Sequence, residues 1–224
     1  MRAVIFDLVG TLAFIKENVD NKEVSSFLVS RGYEVYPQQW SVAWRFVAFI
    51  DYPKFGYNNH DSMLRRIFER LGVEIDEQTL NYLVKLYQRI SFQPYPDALD
   101  AVLKAKDLGL KTAIATTVAR FLFDKDLEQI LGYIDFVCTG YEAGCEKSNP
   151  KMYKRILERL EVNPQEAVVI GDDIDIDIRL PNTLGIKTIM VDRIKKSKHV
   201  SEPNAIVFNL SDAMKIVSAW ANQK

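Results

Sequence analysis

Ala3-Val4-Ile5-Phe6-Asp7-Leu8-Val9-Gly10-Thr11-Leu12 is the stretch on which the fold of this chain turns. Its first four residues are a continuous apolar, β-prone run, the pattern of a strand buried on both faces. An acid ends the run, and Gly10 follows soon after, a residue free to adopt backbone angles closed to others. Open α/β sheets carry their chemistry just beyond the carboxyl ends of the strands, where Asp7 would sit. Taken alone, a strand ending in an acid equally describes a loop or turn residue.

Working outward, the length of 224 residues suits one α/β domain, or a core with a smaller insertion. A hydrophobic content of 48% is enough for a globular core. The net charge of -1 gives no electrostatic reason to expect nucleic acid or an anionic membrane as partner. Cys138 and Cys145 do not make a disulfide framework, so a reducing cytoplasm is the expected compartment. No signal peptide, membrane span, repeat or heptad array is expected.

Past Leu12 the pattern turns helical. Val19–Gly32 and Pro37–Ile50 read as two helices, the second carrying Trp40, Ala43, Trp44 and Val47 at helical spacing. The aromatic stretch Asp51–Tyr57 reads as a loop. Asp61 and Asp76 are expected to cap two further helices, ending near Leu71 and Ile90. Four helices with short connections make a small bundle.

From Pro94 the elements alternate. Strands are expected at 111–115, 134–138, 167–170, 187–191 and 205–208. Helices are expected at 95–108, 121–131, 150–160 and 211–220. Such alternation implies a parallel sheet with right-handed crossovers. The first strand finds parallel partners only in this later half. The fold class is therefore α/β, a Rossmann-like core of residues 1–13 and 93–224 with a helical insertion over 14–92.

This topology gathers the polar groups at the strand ends into one mouth: Asp7 and Thr11, Thr116, Lys147, Asp172 and Asp173, with Asp177 close behind. In order and spacing they resemble the haloacid dehalogenase superfamily. Its first motif, Asp-x-Asp-Gly-Thr after an apolar strand, is matched by Asp7-Leu8-Val9-Gly10-Thr11 at all places but one. Thr116 matches its Ser or Thr at a strand end, and Lys147-Ser148-Asn149-Pro150 its lysine ahead of a helix. Gly171-Asp172 with Asp177 matches its acidic motif, and the helical insertion lies where many members carry a cap.

The resemblance implies a hydrolase in which Asp7 is the nucleophile, Thr116 holds a substrate oxygen and Lys147 keeps Asp7 ionised. It implies Mg²⁺ held by Asp7, the Val9 backbone carbonyl, Asp172 and Asp173, with Asp177 in support. Thr11, Thr117 and Arg45 are the further expected substrate contacts, although an exposed surface arginine describes Arg45 as well. Trp40 and Trp44 read as packing within the bundle, His60 and His199 as surface or structural residues, and 194–199 as a solvated loop.

Three positions depart from the family pattern: Ser148 in place of a proline, Pro181 within an expected helix, and Val9. In phosphatase members the residue at Val9 is a second aspartate, which protonates the leaving alcohol and later activates water. Valine keeps the backbone ligand but loses proton transfer, worth ~10²–10⁴ in rate. Members acting on carbon–halogen bonds need no such acid. They also work without metal, and their fourth motif is less acidic than Asp172-Asp173. The expected reaction is Mg²⁺-dependent hydrolysis of a small phosphorylated metabolite through a covalent intermediate on Asp7. Metal-independent 2-haloacid dehalogenation is the first alternative, and a non-catalytic binding protein on the same fold the second. A homodimer could form through the aromatic cap.

Overall fold

A computed structural model of the chain describes residues 1–194 and 202–222; the segment read as a solvated loop lies largely outside the described residues. Six strands build the main sheet: β1 (Ala3–Asp7), β4 (Lys111–Ala115), β5 (Phe136–Cys138), β6 (Ala167–Gly171), β7 (Lys187–Val191) and β8 (Ala205–Val207). They run in the order β5-β4-β1-β6-β7-β8, and every neighbouring pair is parallel. β1 is central and fully buried, as its unbroken apolar run requires. Chain order reverses direction at β1, so the β1/β6 junction is the topological switch point, and Asp7 and Gly171 end those two strands.

Alternate residues of each strand serve different layers. Val4, Phe6, Ile114, Val168 and Ile170 belong to a core shared with Ala98–Asp107 and Leu210–Asn222. Ala3, Ile5, Ala113, Ala115 and Val169 face Met152, Tyr153, Ile156 and Leu157 of the helix Lys151–Leu160. Asp7 follows the parity of Ala3 and Ile5, which turns it toward that second layer.

The insertion begins and ends differently from the sequence reading. β2 (Ala13–Glu17) and β3 (Ser91–Pro94) pair as an antiparallel ribbon, and the inserted helices lie between its strands. The ribbon was invisible because neither short strand buries a continuous face; β2 is exposed from Ile15 on. The helices are Asn21–Ser30, Pro37–Phe46, His60–Leu71 and Glu77–Tyr87. Asp76 caps the last of these, but Asn59 rather than Asp61 caps the one before it, accepting from Ser62 N at 2.8 Å.

Asp51–Tyr57 is not simply a loop. The helix continues through a π-helical turn, Val47–Asp51, into Tyr52–Phe55, with Pro53 just past the turn. Asp51 is fully buried there and accepts from Arg66 Nε at 2.9 Å and Arg70 Nη2 at 2.6 Å. These bonds offset the cost of the wide turn. In the core, the helix expected over 121–131 is two short turns, Arg120–Phe123 and Glu128–Leu131.

Trp40 packs as expected, fully buried with its Nε1–H donating to the Tyr87 hydroxyl at 2.8 Å. His60 sets its ring edge-on to Phe121, with centroids 5.1 Å apart. Among the described residues no helix is long and apolar enough to cross a membrane.

Candidate active site

Lys147 is the hub. Its ammonium is buried and donates to Asp7 Oδ1, and it lies 2.7 Å from Asp177 Oδ1. The loop before Lys151–Leu160 delivers it onto the face of β1 that Asp7 shares. Asp177 is almost completely buried and fully used: Tyr153 Oη donates to Oδ1 at 3.1 Å, and Asp173 N donates to Oδ2 at 3.2 Å. Tyr153 was not singled out from sequence. The available signal was a polar tip on the apolar face of a strongly amphipathic helix, with Met152, Ile156 and Leu160.

Two glycines are required by this crowding. A Cβ on Gly171 would lie 2.4 Å from Asp177, so only glycine lets β6 pass. Gly10 has φ +96°, and a Cβ there would lie 2.2 Å from the Asp172 carboxylate. Oxygens of Asp7, Asp172 and Asp177 lie within 4.8 Å of one another. Asp7 Oδ2 is buried and has no hydrogen-bond partner among the described residues. A buried orphan oxygen among three clustered carboxylates is a donor set that fits a hard divalent cation.

Burial pushes the Asp7 carboxyl up, and Asp177 and Asp172 add to the rise; Lys147 opposes it but leaves the value at about 7. Burial would lower the Lys147 ammonium, yet Asp177 and Asp7 outweigh it and raise it further. Asp172 is raised by burial and by Asp177. The mouth therefore holds more negative than positive charge, and it favours an added cation.

The structure brings Asp7, Lys147, Asp172 and Asp177 together and redirects several other expected residues. Asp173 is not in the acidic cluster. Its Oδ1 accepts from Asp175 N and Ile176 N at 2.9 Å each, capping the π-helical turn Ile174–Arg179, and that turn swings Asp177 inward instead. This turn runs directly into Leu180–Thr183, with Pro181 in its first turn. Thr116 is buried, and its Oγ1 accepts from Val118 N at 3.1 Å, which leaves the O–H proton to donate. Thr11 is fully buried, and its carbonyl takes a 2.7 Å bond from Arg193 Nη2, which also pairs with Asp97 at 2.9 Å. That guanidinium lies 3.8 Å from the Tyr95 ring centroid. It ties the turn after Asp7 to the far side of the sheet.

Beside the mouth is a cavity of about 370 Å³, roofed by the helical insertion and floored by Val9 and Thr117. Trp44, Ala48, Phe49, Met63 and Leu122 supply much of its wall. Trp44 thus does more than pack within the bundle, because the π-helical segment presents its neighbours Ala48 and Phe49 to the same space. Arg45 is exposed and is not among the residues lining this cavity.

Residues 1–182 match the family model of the haloacid dehalogenase-like hydrolases. The chain belongs to this family. It is 32% identical over 150 residues to a glyceraldehyde 3-phosphate phosphatase of Methanopyrus kandleri, a match covering 63% of this chain and 62% of that protein. The matched part is thus less than two thirds of that relative's length. A pyrophosphatase PpaX of Bacillus thuringiensis is 26% identical over 97% of both chains. Among solved structures, a 2-haloacid dehalogenase from Pseudomonas syringae superposes with a TM-score of 0.72 at 19% identity, covering 98% of this chain and 99% of the other. That last likeness speaks for the fold. The family is one of hydrolases, and phosphatases are among the chain's sequence relatives.

Proposed function

We propose that this hydrolase cleaves small phosphorylated compounds through a phosphoryl intermediate on Asp7. The observation that carries the reading is the Asp7 Oδ2 atom, buried beside Asp172 and Asp177 without a hydrogen-bond partner among the described residues. An excess of carboxylates around one ammonium suits a site that takes up a cation and then an anionic substrate.

In this reading Mg²⁺ would be held by Asp7, Asp172 and the Val9 carbonyl, and it supplies the charge neutralisation that lets a carboxylate meet a phosphate. Asp177 has its oxygens engaged and acts on the other residues. It shares Lys147 with Asp7 and fixes the Asp172–Asp173 loop through the Asp173 amide. Lys147 holds Asp7 Oδ1 and so fixes the orientation of the carboxylate, and it offsets charge on the transferring phosphoryl. Thr116 donates its hydroxyl to a phosphoryl oxygen, and Thr117 faces the cavity.

Metal-independent dehalogenation is the second reading. Val9 and the apolar cavity favour it, while Asp172 weighs against it. The deciding experiment measures phosphate release from acetyl phosphate with Mg²⁺, and chloride release from 2-chloropropionate in EDTA. Phosphate release that disappears in Asp7→Asn is the expected result. Chloride release alone would overturn the proposal.

A further inference from the structure

The cavity beside the mouth and the residue at its floor bear on the same question, the nature of the leaving group. No residue lining the cavity, among those described, is a Lys, Arg, His, Asp or Glu. Its wall is mainly apolar, with Trp44, Ala48, Phe49, Met63 and Leu122, and its polar residues are Asn18, Tyr52, Tyr57 and Thr117. Such a wall gives a second phosphate or a carboxylate no countercharge, and its few neutral polar groups leave most of its surface apolar. It suits a flat apolar group, which gains free energy from every carbon it removes from water. Val9, in the same lining, has no proton to give a departing oxygen.

We infer that the substrates are aryl phosphates, monoesters of phosphate with an apolar phenol. This rests on the phosphatase reading. A phenol ionises at roughly pH 10, as tyrosine does, whereas an alkyl alcohol is a far weaker acid. An Asp7 oxygen attacks phosphorus, the bond from phosphorus to the aryl oxygen breaks, and the electron pair leaves as phenolate. The phenolate takes its proton from water. A second water then attacks phosphorus of the aspartyl phosphate, releasing inorganic phosphate and restoring Asp7. The first step needs no acid at position 9, and the second lacks a base there. The phosphorylated enzyme therefore accumulates, and phenol appears in a burst of one equivalent per site.

The test compares phenyl phosphate, 1-naphthyl phosphate, glycerol 3-phosphate and acetyl phosphate on the unaltered protein with Mg²⁺. Both aryl esters are expected to exceed glycerol 3-phosphate in kcat/KM by roughly 10²-fold, the scale of one missing proton transfer. Single-turnover rates across substituted phenyl phosphates should fall steeply as the phenol becomes less acidic, and Val9→Asp should flatten that slope. Ala48→Trp, which fills the cavity, should lower the ratio of 1-naphthyl to acetyl phosphate kcat/KM roughly tenfold. A direct readout is quenching of Trp44 fluorescence by 1-naphthol, judged against Trp44→Phe. Acetyl phosphate turnover with glycerol 3-phosphate matching the aryl esters would overturn the inference and leave the phosphatase reading standing. Inertness toward all four, acetyl phosphate included, would overturn both.

Discussion

Asp7 and Asp51 are both carboxylates withdrawn from water, yet their surroundings are mirror images in charge. Asp51 meets two guanidiniums, Arg66 and Arg70, whose side chains keep 27% and 38% of their exposure. The excess positive charge there drains to solvent. Burial would raise the Asp51 carboxyl, but the bonds from Arg70 and Arg66 hold it below the usual carboxylate range. Asp7 meets one ammonium that it shares with Asp177, and neither partner reaches water to any extent. The excess charge there stays inside, and Asp7 is pushed up to about 7. A satisfied cluster holds a π-helical turn in place, and an unsatisfied one is left to bind something.

The largest break in this contrast is Lys147→Ala. Turnover should fall about 10²–10³-fold, the usual loss for one preorganised charge, with phosphate release as the measurement. Next is Asp51→Ala. It should cost about 3 kcal/mol in urea unfolding, the low end for a broken buried pair, because both arginines keep a path to water. An unchanged midpoint would mean that the turn does not depend on the cluster.

Mg²⁺ offers a third measurement. At a hundredfold excess over Kd it should stabilise the protein by about 2.7 kcal/mol in thermal unfolding, and EDTA should remove the effect. Asp172→Asn should abolish that gain. Asp173→Asn should keep most of it, since an asparagine oxygen still caps the turn.

The remaining effects are in pH, and their signs are opposite. Asp51 has a folded value below its ordinary 3.8, so its stabilisation is present above that value and fades as pH falls through the folded one. Asp7 has a folded value of about 7 against 3.8, so metal-free protein loses stability as pH rises across that window. In EDTA, Asp7→Asn should raise Tm at pH 8 and by less at pH 5. Asp51→Asn should make Tm less sensitive to pH below 4. Parallel curves for the two variants would remove the contrast.

Much of the fold could be read in advance. Strands 111–115 and 187–191 match the expected bounds, and the β1 run lies at the sheet centre. The β2–β3 ribbon could not be read, because its strands gain their meaning only by pairing with each other across the insertion. Among the candidate site residues, Asp7 was legible as an acid at a strand end, and Lys147 and Asp172 through the family motifs they resemble. Asp173 against Asp177 was not. In Asp172-Asp173-Ile174-Asp175-Ile176-Asp177 every acid looks alike, and the phase of one π-helical turn sends Asp177 inward and Asp175 out.

Sequence by itself determined the alternation of strand and helix and the residue types at the mouth, because period and side-chain chemistry are local properties of a chain. Tertiary structure alone decided which carboxylates share one ammonium, since Asp7 and Lys147 are 140 residues apart and their coupling depends on distance in space. It also decided that Trp44 and Phe49 face a cavity at Val9, the place where a family proton donor is missing. Charge balance and cavity shape are sums over elements that meet only after folding.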